Sequence, residues 1–164
     1  MEIRTISGAN RFPQATRRRE ACRGIVIEDG NILMSYETNT DQWFLPGGGV
    51  EKGETLSACC RRELEEETGV IVAVREHFLT IYEYYEEWEF ISHYFLCKAE
   101  GTGVRALTAR EIEAGLEPRW IPFSEAKAIF SRHPEYARTN EMKRGAYQRE
   151  ETALGVYERM LGEM

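Results

Sequence analysis

Residues 48–70 read GGVEKGETLSACCRRELEEETGV. This stretch predicts a helix from Leu56 to Thr68, because most of its residues have high helix propensity. Thr55 stands where a threonine side chain caps a helix N-terminus, and Gly69 stands where a glycine commonly ends one. The sequence therefore predicts one well-bounded helix, preceded by a glycine-containing loop.

Three glutamates share one face of this helix. Glu63, Glu66 and Glu67 are spaced i, i+3 and i+4, so their side chains are neighbours. Their mutual repulsion must be offset by solvent, by a nearby arginine or by a bound cation. Hard divalent cations such as Mg²⁺ prefer oxygen ligands, which such a cluster supplies. The cluster alone is also typical of an ordinary solvated helix face.

The neighbouring residues favour the cation. The pattern is Gly48, five residues, Glu54, seven residues, Arg62-Glu63-Leu64, one residue, Glu66-Glu67, one residue and Gly69-Val70. This pattern resembles the Nudix box at every fixed position, and the chain is identified as a member of the Nudix hydrolase family. Chance agreement of the fixed letters is expected on the order of once in a million chains of this length.

The resemblance implies an α+β fold, an α/β/α sandwich in which a mixed β-sheet lies between helices. It also implies a loop–helix–loop that binds Mg²⁺, for which Mn²⁺ can substitute. The implied metal ligands are Glu63, Glu66, Glu67 and the carbonyl of Gly47. Arg62 matches the family residue that helps to orient the carboxylates.

The resemblance further implies an enzyme, a Nudix pyrophosphohydrolase. It would hydrolyse a phosphoanhydride bond in a nucleoside diphosphate linked to another moiety, as in a nucleotide, a dinucleoside polyphosphate or a nucleotide sugar. The catalytic base is expected to be Glu63 or Glu66 in the box, or Glu111 or Glu113 in a later loop. The alternative is a catalytically silent Nudix-like module that binds a nucleotide or regulates. An isomerase of isoprenyl diphosphates is a further alternative, against which the intact box counts.

Two regions are candidates for substrate binding. Tyr84 or Tyr85 stands near the place where dinucleoside polyphosphate hydrolases of the family often carry a tyrosine, and tyrosine can stack on a base. The surrounding hairpin is aromatic throughout, so both are also typical of ordinary strand residues. Arg19, at the end of the run Arg17–Arg19, can contact phosphates, although such a run is more typical of a solvated basic turn.

The composition argues against some binding partners and some cellular locations. The net charge of −7 argues against polymeric nucleic acid, which requires clustered cations. No apolar run is long enough to span a membrane, and the N-terminus lacks a secretory apolar region. The four cysteines lack metal-ligand spacing and indicate a reduced, cytoplasmic protein. Many relatives form dimers, so a homodimer is possible.

The remaining pattern organises the chain as one expected domain, residues 1–164, with a core of about 19–130 and a C-terminal helix of about 141–161. Strands that lie between helices predict a sheet covered on both faces. The predicted elements are a hairpin of 19–27 and 31–36 with its turn at Asp29-Gly30, a short apolar piece at 43–45, no regular structure at 46–49, a strand at 70–74, a hairpin of 78–85 and 89–97, a loop at 101–117, a strand at 119–122, and a helix at 124–130 capped by Ser124.

Overall fold

The computed structural model describes residues 1–163, so the last residue of the expected 1–164 domain lies outside the described residues. The strands are β1 (Glu2–Ser7), β2 (Arg17–Glu28), β3 (Asn31–Glu37), β4 (Gln42–Phe44), β5 (Gly47–Gly49), β6 (Val70–Tyr85), β7 (Trp88–Thr102) and β8 (Leu116–Pro122). The helices are α1 (Leu56–Thr68), α2 (Ala109–Ala114), α3 (Phe123–Phe130) and α4 (Glu141–Gly162), with a 3₁₀ turn at His133–Tyr136.

The sheet is mixed, with the strand order β1-β6-β7-β2-β3-β4. The pairs β1–β6 and β2–β7 are parallel, whereas β6–β7 and β2–β3 are antiparallel. β5 pairs with β2, and β8 pairs with β3. The predicted α+β class with a mixed sheet is confirmed.

Helices cover both faces of this sheet. Val26 of β2 packs in a cluster with Leu64 of α1, while its neighbour Ile25 packs in a second cluster with Leu154 of α4. Successive strand residues point to opposite faces, so one strand serves both cores. None of the helices within residues 1–163 is long and apolar enough to cross a membrane.

The helix α1 begins and ends where the sequence predicts. The side chain of Thr55 accepts a hydrogen bond from the Ala58 amide at 3.1 Å and so caps the first turn. Gly69 adopts a left-handed conformation with φ of 78°, and its amide donates to the Glu65 carbonyl. The predicted hairpin turn is also present, since Asp29 and Gly30 both have positive φ.

The strands predicted separately at 70–74 and 78–85 form one strand, β6. Three other local predictions are wrong. The backbone of Gly47–Gly49 is not irregular, because it pairs with Ala21–Arg23 as β5. A Cβ atom at Gly47 would lie 2.0 Å from the Cys22 carbonyl oxygen, so only glycine permits this approach. The loop expected at 101–117 contains α2.

Thr108 and Glu111 form a reciprocal capping box at the start of α2, which explains why so short a helix forms there. The third error concerns Ser124, which does not cap α3. That helix begins one residue earlier, at Phe123, without a side-chain cap. The Phe123 amide instead donates to the Gly30 carbonyl at 3.1 Å, so the hairpin turn fixes the start of the helix.

Candidate functional site

A cavity of about 520 Å³ opens between the end of α1, the strand β5, the helix α2 and the start of α4. The cavity brings together most of the residues that the sequence singles out. Those that line it are Arg19, Gly47, Glu63, Glu66, Glu67, Tyr85 and Glu111.

Arg62 lies beside this cavity and holds the carboxylates of α1. Its Nε and Nη2 donate to the two oxygens of Glu54 at 2.7 and 2.9 Å. Its Nη1 donates to Glu63 at 2.8 Å and to Glu66 at 3.1 Å, and Nη2 also donates to the Gly49 carbonyl at 3.0 Å. The planar fork of arginine thus fixes three carboxylates and the loop before the helix at once.

The charge on Arg62 also sets the ionisation of its partner. The hydrogen bonds from Arg62 lower the pKa of Glu54 to about 2, so Glu54 is ionised throughout the neutral range. Arg62 likewise lowers the pKa of Glu63, but burial has the larger effect and raises that pKa overall. A buried carboxylate such as Glu63 gains from a nearby cation when it ionises.

Glu67 is the most buried of the three carboxylates on this face. Burial raises its pKa to about 8, although a hydrogen bond from the Ser35 hydroxyl and the charge on Arg23 oppose the rise. Ser35 lies on β3 and donates to Glu67 Oε1 at 2.5 Å. Glu67 therefore faces the cavity from a site where its charge is costly without a cation.

Gly48, in the strand β5 before α1, lies directly beside the carboxylate of Glu63. A Cβ atom there would lie 2.3 Å from Glu63 Oε2. The backbone of β5 therefore packs directly against the carboxylate of Glu63, with no room for a side chain. Within residues 1–163, no three His, Cys, Asp or Glu side chains are arranged as a ready-made metal site.

The structure separates pairs of candidates that the sequence leaves equal. Glu111 lines the cavity, whereas Glu113 is exposed and does not. Tyr85 lines the cavity and donates to Glu83, whereas the Tyr84 hydroxyl donates to Glu89 at 2.8 Å, away from it. Arg11 packs over the ring of Tyr84.

The arginine run divides in the same way. Arg19 reaches the cavity. Arg17 instead lies over the ring of Trp88, and Arg18 pairs with Glu89 at 3.6 Å.

A comparison of the sequence with family models gives a match over most of the chain. The model that matches is described as the NUDIX domain, and it covers residues 18–142. The chain belongs to the Nudix family. The match includes the box, the cavity wall formed by α1 and β5, and α2, and it ends at the second residue of α4.

Curated Nudix relatives are similar to part of this chain. The diphosphoinositol polyphosphate phosphohydrolase 2 of Rattus norvegicus is 35% identical over 78 residues, which cover 38% of this chain and 44% of that protein. The RNA pyrophosphohydrolase of Dinoroseobacter shibae is 40% identical over 55 residues, which cover 31% of this chain and 34% of that protein. The chain thus spans less than half the length of each of these relatives.

A solved structure shares the fold over most of the chain. A UDP-X diphosphatase superimposes with a TM-score of 0.61 at 17% sequence identity, over 93% of this chain and 67% of that one. At this identity the likeness shows the fold alone. The fold shared with that structure therefore covers most of the chain and is not confined to the box.

The cavity also contains charged residues that the sequence analysis missed. Glu37, on β3, is buried and pairs with Arg110 of α2 at 3.6 Å. The others are Arg23, Glu83 and Arg149. One signal was available for Glu83, since it stands between Ile81 and Tyr85 in a stripe of otherwise apolar, inward-facing strand residues.

Proposed function

We propose that the protein is a Mg²⁺-dependent hydrolase of a phosphoanhydride bond in a nucleoside diphosphate linked to another moiety. One observation carries the proposal. Three carboxylates from one helix face, Glu63, Glu66 and Glu67, line a cavity large enough for a nucleotide. Arg62, which does not line the cavity, donates hydrogen bonds to Glu63 and Glu66.

The donor set supports Mg²⁺, with Mn²⁺ as a substitute. Carboxylate oxygens and the carbonyl of Gly47 are hard ligands of the kind that these ions prefer. When bound, the ion would polarise the phosphoryl oxygens and favour ionisation of the attacking water. Binding would require Glu63 and Glu66 to share their oxygens between the ion and Arg62.

The arginines support an anionic substrate. Arg19 and Arg110 line the same cavity as the carboxylates, so phosphate oxygens bound there would meet positive charge. Arg19 and Arg110 are exposed, and both can therefore adjust to a substrate that enters from solvent.

For the catalytic base we propose Glu63, Glu66 or Glu111, each of which lines the cavity. The variant Glu111→Gln separates the last from the others. Glutamine can keep the capping box of α2, so this change removes the carboxylate and preserves the helix. If Glu111 is the base, kcat falls at least about 100-fold. The matched control is Glu113→Gln, in the same helix but outside the cavity.

The decisive experiment is a phosphate-release screen over nucleoside triphosphates, dinucleoside polyphosphates, ADP-ribose and nucleotide sugars, with Mg²⁺, with Mn²⁺ and with chelator. Glu66→Gln is expected to lose at least about 100-fold in kcat/KM. Glu65→Gln serves as the control. Glu65 lies on the same helix as Glu66, but it packs against Gly103 and does not line the cavity. Full turnover by Glu66→Gln, or turnover in chelator, would contradict the mechanism.

The same screen tests the alternative of a catalytically silent module. Nucleotide binding by calorimetry without turnover of any compound would favour that alternative. We also propose a cytoplasmic location, which agrees with four free cysteines, and tagged protein in cell fractions would test it. The homodimer suggested by the family stays a prediction, for which sedimentation equilibrium is the measurement.

A further inference from the structure

Two arginines that line the cavity each have one buried donor without a partner in the protein. Within residues 1–163, the buried side-chain nitrogen and oxygen atoms without a hydrogen bond are Asn10 Oδ1, Arg23 Nε and Arg149 Nη2. Both arginines line the cavity. Buried donors are normally paired, and an unpaired one at a binding site is an unused recognition group.

Arg149 is held rigidly at this position. Its Nε donates to Tyr94 at 3.0 Å and to Glu150 at 3.1 Å, and its Nη1 donates to Glu83 at 3.2 Å. Its side chain is only 9% exposed. Because the guanidinium is planar, these bonds also fix Nη2, the one nitrogen left for a molecule in the cavity.

The acceptors around these donors are already engaged. Glu83 receives Arg149 on Oε1 and the Tyr85 hydroxyl at 2.7 Å on Oε2. Glu150 receives the Leu45 amide on Oε2, and it receives both the Tyr94 hydroxyl and Arg149 on Oε1. This end of the cavity therefore offers free donors, while its carboxylate oxygens already have partners.

The charges at this end are balanced. Arg23 and Arg149 carry two positive charges, and Glu83 and Glu150 carry two negative ones. An anionic group of a ligand would add a negative charge that no further cation at this end balances. A neutral acceptor such as a keto oxygen adds no charge to the buried network. The aromatic side chains of Phe44 and Phe90 also line the cavity and suit a flat ring.

We propose that Arg149, together with Arg23, selects nucleobases that present a keto oxygen. The keto oxygen meant is the one at position 6 of hypoxanthine and guanine and at position 4 of uracil and thymine, where adenine and cytosine carry an amino group. The keto oxygen at position 2 is common to uracil and cytosine and does not discriminate between them. An amino group at that position would bring a donor towards the unpaired donor of an arginine and leave both without an acceptor. The inference rests on the proposed function, since the base must belong to the substrate, and it names the class of base.

The test is equilibrium binding of nucleoside 5′-monophosphates to the full chain in chelator, measured by calorimetry. IMP and AMP form a matched pair that differs in the group at position 6 of the purine and in the proton on N1, and UMP and CMP repeat the comparison at position 4 and N3 of the pyrimidine. We expect IMP and UMP to bind about 10-fold more tightly than AMP and CMP, respectively. Equal affinities within both pairs would overturn the proposal.

Variants assign the preference to the residue. Arg149→Lys keeps a cation beside Glu83 and Glu150 but removes the fixed Nη2, so the preference for IMP over AMP should fall to less than about 3-fold. The control is Arg144→Lys, in the same helix but outside the cavity, which should retain it. A full preference in a folded Arg149→Lys protein would also overturn the proposal.

If Arg149→Lys does not fold, Arg23→Lys and the ligand pairs decide the question. The proposal and the proposed function fail separately. Turnover that depends on Glu66 without any base preference would overturn only the base selection. A base preference without turnover of any compound would overturn the hydrolysis and leave the base selection standing.

Discussion

Replacement of Arg62 should weaken both the fold and the site, by amounts that depend on the substituent. Arg62 donates five hydrogen bonds of 3.1 Å or less, and its partners Glu54 and Glu63 have side chains only 13% and 16% exposed. Arg62→Met leaves two half-buried or buried carboxylates without a counter-charge. Breaking such pairs costs about 3–5 kcal/mol.

Arg62→Lys should cost less, because the charge remains. Lysine has three donors on one atom and cannot reproduce the two-pronged contact with Glu54, so about two hydrogen bonds are lost. Each charge-assisted bond contributes about 1.5–3 kcal/mol, and water replaces part of this at a side chain that is 23% exposed. The expected loss in the free energy of unfolding is about 2–3 kcal/mol.

The measurement is urea unfolding at neutral pH and again at several values between pH 5 and pH 3. Arg62 lowers the folded-state pKa of Glu54 from 4.5 to about 2. The stability that this pair contributes is therefore complete above pH 4.5 and is lost as the pH falls towards 2. The difference between wild type and Arg62→Met should accordingly shrink as the solution is acidified.

Arg61→Lys is the control, since Arg61 is the exposed neighbour on the same helix. A loss below about 1 kcal/mol in Arg62→Met, or a difference from wild type that grows on acidification, would refute the assigned role of Arg62. Mg²⁺ affinity of the Arg62→Lys protein, measured by calorimetry, should also fall about 10-fold or more, because two carboxylates lose their orientation.

Three further changes test the loop, the cap and the buried network. Gly48→Ala should reduce activity about 10-fold or more because its methyl group displaces the carboxylate of Glu63, whereas Gly101→Ala, which meets no atom within 4 Å, should leave activity unchanged in the same assay. Thr55→Ala should lower the free energy of unfolding by about 1 kcal/mol through loss of the cap on α1. A decrease of less than about 0.3 kcal/mol would count against the cap. Glu150→Leu should lower it by about 3–5 kcal/mol, because three buried partners lose their acceptor, and a neutral result in thermal unfolding would contradict the network.

The elements that the sequence predicted well are those whose signals are local. The bounds of α1 follow from Thr55 and Gly69, which act on adjacent residues. The turn at Asp29-Gly30 is equally local. The shared face of Glu63, Glu66 and Glu67 on α1 follows from helical spacing alone. This side of the cavity could therefore be predicted from the sequence, whereas the sides formed by other elements could not.

The parts that were missed depend on contacts between distant residues. Arg149 meets Glu83 across 66 positions of the chain, and no spacing rule connects them. The strand β5 was missed because its glycines usually break regular structure, yet here the absence of side chains permits pairing with β2. The helix α2 is different, because its capping box consists of Thr108 and Glu111, a local signal that the sequence contains.

The pairing of β5 with β2 has a consequence for motion. Residues Ala21–Arg23 are bonded on one edge to β5 and on the other to β7, in the interior of the sheet. Amide protons that take part in the ladder between β5 and β2 should therefore exchange with solvent only when the central sheet opens, at a free energy close to that of global unfolding. The region from 103 to 115 lies outside the sheet, and its backbone bonds to neighbouring segments are at its two ends, at Gly103 and Ala106 and at Ala114 and Gly115. Opening and closing of the cavity should therefore be confined to that side, while the carboxylate wall stays in place.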